Sequence, residues 1–499
     1  MRKDFFYTIL INFIITFLTS ILGFIINKYF IFYIGMEKLG LMKLFTQLLA
    51  YLNLAEIGIA SASAYALYKP LSEKNYDQIS IIMNTLTSLY NKIFLFILII
   101  GLFLNPVIPF FIKDKIIDKY IYLYWSLYVI NTALGYSFIK YSILFTADQK
   151  YKLVRLIQGG TRILVQVLQI YVIIKFNSFF IFILLLIFDN IVQYIFYNLY
   201  YKRYYKYIFK TKLKNKSITD NLKNLFWHKV AGLVVFNTDL ILISKFISLK
   251  TVGIYSSYLM INQIILTVFG IVLNVLTPKI GKYIAENSKE KIFIYWKKLN
   301  ILFLWFSAFF SFCTYKLIGS FIKLWLGEQF ILPNLTLILI IINLFIQCFR
   351  SILEIFKEGS GFFDDIHLPI SEAVINFVIS IILVQYIGLN GVIMGTLVSN
   401  ILIICIAKPI LVFKRCFDKS WKDYIKIYGN YLVLITLSLF LCESVLKFIN
   451  LNKINLWIDW IIYSVITGSI VLIITFLVFI KNKSFRELIK EIKKTTFRI

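Results

Sequence analysis

Arg155, Gln158, Arg162, Gln166 and Gln169 stand in an otherwise apolar stretch, spaced 3, 4, 4 and 3 residues apart. On a helix that spacing puts them on one face. Asn343, Gln347, Arg350 and Glu354 repeat the pattern with spacings of 4, 3 and 4. Shorter stripes run through Asn12, Thr16, Thr19, Gly23 and Asn27, with Lys28 beside them. Others run through Asn53, Glu56, Ala60 and Ser63, through Asp189, Gln193 and Tyr197, through Asn237 and Asp239, and through Glu372, Asn376 and Ser380. Charge in an apolar environment is costly and persists where it faces a water-filled cavity or a partner. The stripes therefore predict a polar cavity with basic side chains at depth. A basic cavity suits an anion, because the planar fork of arginine donates two parallel hydrogen bonds to phosphate oxygens.

Each of these residues also has a structural reading. Arg350 and Glu354 fit an i,i+4 ion pair that fixes packing, and the uncharged members fit helix–helix hydrogen bonds. Glu56, Asp189 and Asp239 are candidate ion-coupling acids, able to take a proton in one state and release it in another. Asp239 equally fits a pair with Lys245 or Lys229.

The elements that carry these stripes are membrane helices. The chain has 499 residues, 60% of them hydrophobic, and a mean hydropathy of +0.81. Its charge falls in clusters between apolar runs of roughly 20 to 30 residues, each long enough to cross a bilayer. About 14 spans are expected: 5–32, 41–68, 79–112, 120–146, 153–174, 177–200, 225–247, 253–278, 292–318, 333–357, 367–387, 389–413, 425–449 and 455–480. This is an all-α polytopic membrane protein. The first run is too long for the apolar core of a cleaved signal, so it reads as the first span. The five cysteines and two histidines have no metal-ligand spacing, so no metal or other cofactor is expected.

The net charge of +28 is read as topology rather than nucleic-acid binding. With the N-terminal "MRKD" placed inside, the inside segments 202–216, 282–298, 414–426 and 481–494 are all basic. Inside segments then hold roughly three times as many Lys and Arg as outside ones. The exception is "KDKIIDK" (113–119), an outside loop with three lysines and two aspartates. Both termini fall in the cytoplasm, and no outside loop is long enough for a domain. After Lys481, the residues Phe485, Leu488, Ile489 and Ile492 alternate with basic ones, as in an amphipathic helix lying on the membrane surface.

One junction recurs. "FYIGMEKLGLMKL" aligns with "KFISLKTVGIYSS" when Gly40 is set on Gly253. The offset of about 213 residues is close to half the chain, the mark of an internal duplication. "YIGLNGVIMGTLV" (386–398) is a looser echo. The expected organisation is two six-helix repeats around a central cavity, plus two peripheral helices. The parts are an N-terminal half (1–200), a basic cytoplasmic linker (201–224), a C-terminal half (225–413), the peripheral helices (425–480) and a basic amphipathic cytoplasmic tail (481–499). In this frame the junction is duplicated scaffolding rather than a binding site.

Here the sequence resembles the multidrug/oligosaccharidyl-lipid/polysaccharide exporter superfamily, and within it the O-antigen and polysaccharide (Wzx-type) flippases. The similar pieces are 35–63, 237–264, "LTPKIGKY" (276–283), "LWLGEQF" (324–330) and 388–402. The likeness lies in hydropathy, spacing and loose motifs across most of the chain. One departure is "AEIGIA", where Glu56 stands for the aspartate of a "DLGL"-like stretch. The resemblance implies a transporter of the bacterial inner membrane, without enzymatic activity. It would move undecaprenyl-pyrophosphate-linked oligosaccharide from the cytoplasmic to the periplasmic leaflet by alternating access, coupled to H+ or Na+. It would serve surface polysaccharide such as O-antigen lipopolysaccharide, with membrane lipids and a polysaccharide polymerase as partners. The pyrophosphate would sit near Arg162, Arg350, Lys28 and Lys140. Gln158, Gln166, Gln347 and Asn27 would bond the sugars.

Two readings compete within the superfamily, a peptidoglycan-precursor flippase and a drug/cation antiporter. An organic cation wants an acidic site, whereas these stripes hold arginine and lysine. A membrane glycosyltransferase or polymerase would need a large catalytic loop, and the chain has no P-loop for ATP-driven transport.

Overall fold

The computed structural model describes residues 2–56, 59–114, 118–211, 213, 215, 238–362, 365, 367–448 and 455–496. The described chain is helical throughout, and eleven of its helices are long and apolar enough to cross a membrane. This is a multi-pass membrane protein. Large apolar side chains such as Phe13, Phe17, Phe440 and Val465 are exposed on its helices, where a bilayer would receive them. The five cysteines are unbridged.

The chain divides into two compact units, Met1–Ser256 and Ser257–Ile499. The first holds α1 (Arg2–Tyr33), α2 (Met36–Leu52), α3 (Ile59–Ser72), α4 (Tyr76–Phe103), α5 (Ile121–Gly135), α6 (Ile139–Ala147), α7 (Tyr151–Phe176) and α8 (Phe179–Tyr204). Residues 238–246 form a further helical segment, and α9 (Leu249–Glu286) starts in this unit. The expected span 41–68 is interrupted by a 3-10 turn at Asn53–Glu56, and 120–146 is split at Tyr136–Phe138. Most of 225–247, with Asn237 and Lys229, lies outside the described residues.

The recurring glycines meet. A Cβ on Gly40 would stand 1.8 Å from the carbonyl oxygen of Leu249, and one on Gly253 would stand 2.5 Å from the carbonyl oxygen of Met36. The starts of α2 and α9 thus cross backbone on backbone, which only glycine permits. This contact ties residues 238–256 to the first unit, so the compact unit ends later than the repeat does.

The loop at 113–119, expected outside against the charge rule, packs on the same assembly. Lys113 Nζ donates to the carbonyl of Phe246 at 2.6 Å, and Lys245 Nζ donates to that of Phe110 at 2.5 Å. Asp114 Oδ2 accepts from the N–H of Leu249 at 2.8 Å, capping α9 from a distant loop. Asp118 pairs with Lys38. Lys113, Asp114 and Asp118 of this loop therefore hold structure. Asp114→Ala leaves the Leu249 N–H without its acceptor, although Ser248 Oγ still accepts from the Thr251 N–H at 3.1 Å, and is expected to cost about 0.5–2 kcal/mol, read as a lower thermal midpoint of the detergent-solubilised protein.

The second unit continues α9 and adds α10 (Lys289–Trp325), α11 (Asn334–Gly359), α12 (His367–Ile387), α13 (Leu389–Ser399), α14 (Lys408–Cys416), α15 (Trp421–Phe448), α16 (Trp457–Phe479) and α17 (Lys483–Thr496). The third glycine motif closes the hairpin of α12 and α13. Gly391 and Gly395 stand four apart, and a Cβ on them would meet Leu383 at 2.3 Å and Ser380 at 2.1 Å. Between α13 and α14, Asn400–Ala407 is π-helical. Pro409 has no N–H for the carbonyl of Cys405 one turn back, and Tyr424 of α15 donates its hydroxyl to that oxygen. The last two spans pack on α10 through Trp305, whose indole N–H donates to Thr475 at 2.8 Å, and through the Lys316–Glu443 ion pair.

Candidate functional site

In the first unit the polar stripe of α7 meets that of α8. Asn177 ends α7 in the left-handed conformation and Ser178 caps α8, so the chain reverses and Arg162 comes opposite Asp189. Arg162 Nη1 stands 3.7 Å from Asp189 Oδ2, with the arginine side chain 48% exposed and the aspartate 7%. At that distance the pair is an ion pair without a hydrogen bond. No other carboxylate among the described residues pairs with Arg162. Asp189 Oδ1 is buried without a hydrogen-bond partner among the described residues. One turn along α7, Gln166 is buried and its amide N–H donates to the carbonyl of Thr19 at 3.2 Å. Its Oε1, and the Nε2 of Gln169, are also buried without partners. Arg155 is engaged, its Nε donating to Asn12 Oδ1 at 2.6 Å. Close contact of Gly159 with Ile15 brings α1 against this face.

The remaining expected residues of this unit are spread out. Asn27 is buried on α1, while Lys28 beside it is exposed. Gln158 is half-buried on α7. Lys140 is half-buried on α6, its ammonium 5.2 Å from the Tyr141 ring centroid. Glu56 accepts from the Tyr90 hydroxyl at 3.2 Å, and the Tyr90 and Tyr136 rings stack at 6.3 Å. Asp239 is half-buried, within electrostatic reach of Tyr51 and Tyr255. Lys245, one of its expected partners, is engaged with Phe110.

Lys43 was not among the expected residues. It is half-buried on α2, and no carboxylate among the described residues pairs with it. The signal was present in the sequence: Lys43, Gln47 and Tyr51 are four apart and share a face, and the Gln47 Oε1 is buried without a partner.

The second unit resolves its charges differently. Arg350 Nη1 lies 3.4 Å from Glu372 Oε1 of α12, with side-chain exposures of 21% and 6%. Glu354, expected to pair with Arg350 along the helix, is bonded by Lys408 of α14. One turn further, Lys357 Nζ bonds both oxygens of Asp365 at 2.7 Å. Residues 350, 354 and 357 on one face of α11 are each matched by an opposite charge from elsewhere. The set Arg350, Lys357, Lys408, Glu354, Glu372 and Asp365 sums to zero. Gln347 is half-buried beside it. Asn343 is buried and bonds the carbonyl of Ile393 and the amide of Asn400. Such a network is a packing device whose single members are expensive to remove. Lys357→Met is expected to cost about 3–5 kcal/mol, and adding Asp365→Leu should recover most of it. Denaturant unfolding of the two variants measures both.

Eleven apolar spans among the described residues, in two compact units with a buried polar face in each, define a class, that of polytopic α-helical membrane proteins. Comparison with solved structures agrees at the level of fold. The lipid II flippase MurJ in an inward closed conformation superposes with a TM-score of 0.68 at 15% identity, over 95% of this chain and 99% of that one. An inward-facing multidrug resistance MATE family transporter of the MOP superfamily gives 0.61 at 12% identity, over 79% and 94%. A MOP superfamily transporter from Pyrococcus furiosus gives 0.51 at 12% identity, over 82% and 94%. The chain therefore has the fold of the MOP-superfamily transporters. No protein-family model matches it, and no curated protein matches it.

Proposed function

We propose that the protein is a flippase for undecaprenyl-pyrophosphate-linked oligosaccharide, moving it from the cytoplasmic to the periplasmic leaflet for surface polysaccharide synthesis. The observation that carries this reading is Arg162: a half-exposed guanidinium on a membrane helix, held only at 3.7 Å by one aspartate. It keeps donors for a pyrophosphate, which Arg350, inside a neutral network, does not. Lys43, half-buried on α2 and without a carboxylate partner among the described residues, is a second candidate cation of this unit. Gln158 and Gln166 supply amides for sugar hydroxyls, and the lipid tail stays in the bilayer, sparing its apolar area from water. Asp189 and Glu56 are the acids we assign to H+ or Na+ coupling, in an alternating-access cycle.

A peptidoglycan-precursor substrate is the second reading. It is favoured by one observation: the likeness to the lipid II flippase spans 95% of the chain, against 79% for the multidrug transporter. The head group decides between the two. Leaflet-resolved extraction of undecaprenyl-pyrophosphate intermediates from a depletion strain should show cytoplasmic accumulation of the surface-polymer repeat unit. Accumulation of the peptidoglycan precursor would select the second reading. An unchanged leaflet distribution with lost drug resistance would reject both.

A further inference from the structure

We propose that the outward face of α17 is a docking surface for anionic phospholipid headgroups, and that the contact is purely ionic. The sequence pattern alone suggested an amphipathic helix that buries its apolar edge in the membrane surface. The structure spends Phe485, Leu488 and Ile489 of that edge on protein. Phe485 is fully buried, its ring 5.5 Å from Trp305 and 6.0 Å from Phe479, and Leu488 is buried next to it. A second edge is spent on α10, where Lys298 Nζ bonds Glu491 at 2.5 Å and lies 3.8 Å from Glu487. Between residues 485 and 491 the tail therefore follows α10 from Trp305 back to Lys298, running alongside that helix.

What is left is basic. Lys483, Arg486 and Lys490 are exposed, spaced three and four apart on the face opposite Phe485 and Leu488. None has an ion-pair partner among the described residues. Lys481, also exposed, precedes them. The apolar run of α16 ends at Phe479, so Lys481 to Arg486 stand where hydrocarbon gives way to headgroups. A cluster of cations immediately after a membrane span attracts anionic lipid within a Debye length of the surface. With Phe485, Leu488 and Ile489 packed on protein, that part of the apolar edge cannot insert, and the attraction is ionic.

The test uses the full-length protein in nanodiscs of phosphatidylcholine alone or with about one-third phosphatidylglycerol. Backbone hydrogen exchange is followed in α17, with α10 and α16 as internal references. The expected result is several-fold slower exchange in α17 when phosphatidylglycerol is present, erased by about 0.5 M NaCl. The variant Lys483→Gln, Arg486→Gln, Lys490→Gln should exchange like the wild type in phosphatidylcholine and show no response to phosphatidylglycerol. Protection that survives salt, or survives in that variant, would overturn the proposal, as would a wild-type protein indifferent to phosphatidylglycerol. The salt arm needs no variant, so the test holds even if the substituted tail fails to fold.

Discussion

Arg162→Ala should abolish translocation while leaving the protein folded in the membrane. The side chain is half-exposed and its one ion pair is 3.7 Å long, so little packing is lost. The buried Asp189 does lose its cation, which costs some stability, and Arg162→Lys, which keeps the charge, is the control for it. A bidentate contact to phosphate is worth about 3 kcal/mol, which corresponds to roughly a hundredfold in affinity. The expected outcome is a loss of about two orders of magnitude in flipping rate at limiting substrate, with a folded protein of somewhat lower melting temperature. Arg162→Lys should recover part of it, since lysine keeps the charge and loses the fork. Asp189→Asn frees the guanidinium, so it should retain binding and alter only the dependence on the coupling ion. Leaflet-resolved lipid analysis with each variant reads all three. Wild-type flipping by Arg162→Ala would remove the central support for the proposed site.

Gly40→Val should prevent assembly of the first unit. Its Cβ would fall 1.8 Å from the carbonyl oxygen of Leu249 and 2.7 Å from the carbonyl carbon. Both belong to backbone, which cannot rotate aside as a side chain can. Ordinary overpacking costs about 1–3 kcal/mol because neighbours shift, but here the whole start of α9 would have to move. That motion would also strain the cap by Asp114 and the lysine contacts around 244–246. The expected readout is little or no monodisperse protein after solubilisation. Gly253→Ala should be milder, since part of its clash is with the flexible Met36 side chain. Gly160→Ala is the control: nothing lies within 4 Å of a Cβ there. Normal yield of Gly40→Val would show that this crossing does not hold the unit together.

These two residues show what the sequence could carry. Helical spacing made the stripe of α7 legible, because a face is a local property of a helix. The repeat made Gly40 and Gly253 correspond, yet nothing in an alignment says that corresponding residues touch. The crossing needed coordinates. The same limit applies to Arg350. Its i,i+4 neighbour Glu354 is legible and lies within its electrostatic reach, but the ion-pair partners of the two, Glu372 and Lys408, come from later helices. Lys43 was overlooked because it stands in a run whose other charges, Glu37 and Lys38, read as a membrane-border cluster. The bonds of Lys113 and Asp114 to 246 and 249 join distant stretches of the chain, which no charge count reveals. The interruptions at 53–56 and 136–138 lie inside runs whose hydropathy is continuous, so hydropathy could not find them.

The six matched charges around α11 also have an electrical meaning. An unbalanced elementary charge that moves across the membrane potential gains or loses about 2.3 kcal/mol per 100 mV. Arg350, Glu354, Lys357, Asp365, Glu372 and Lys408 sum to zero, so displacing them together performs no net electrical work. The second unit can change conformation without being biased by membrane voltage through this network. Under the proposed function, voltage sensitivity would then have to come from charges outside this network that no carboxylate among the described residues matches, such as Lys43 and Arg155, and from the coupling ion and the anionic cargo.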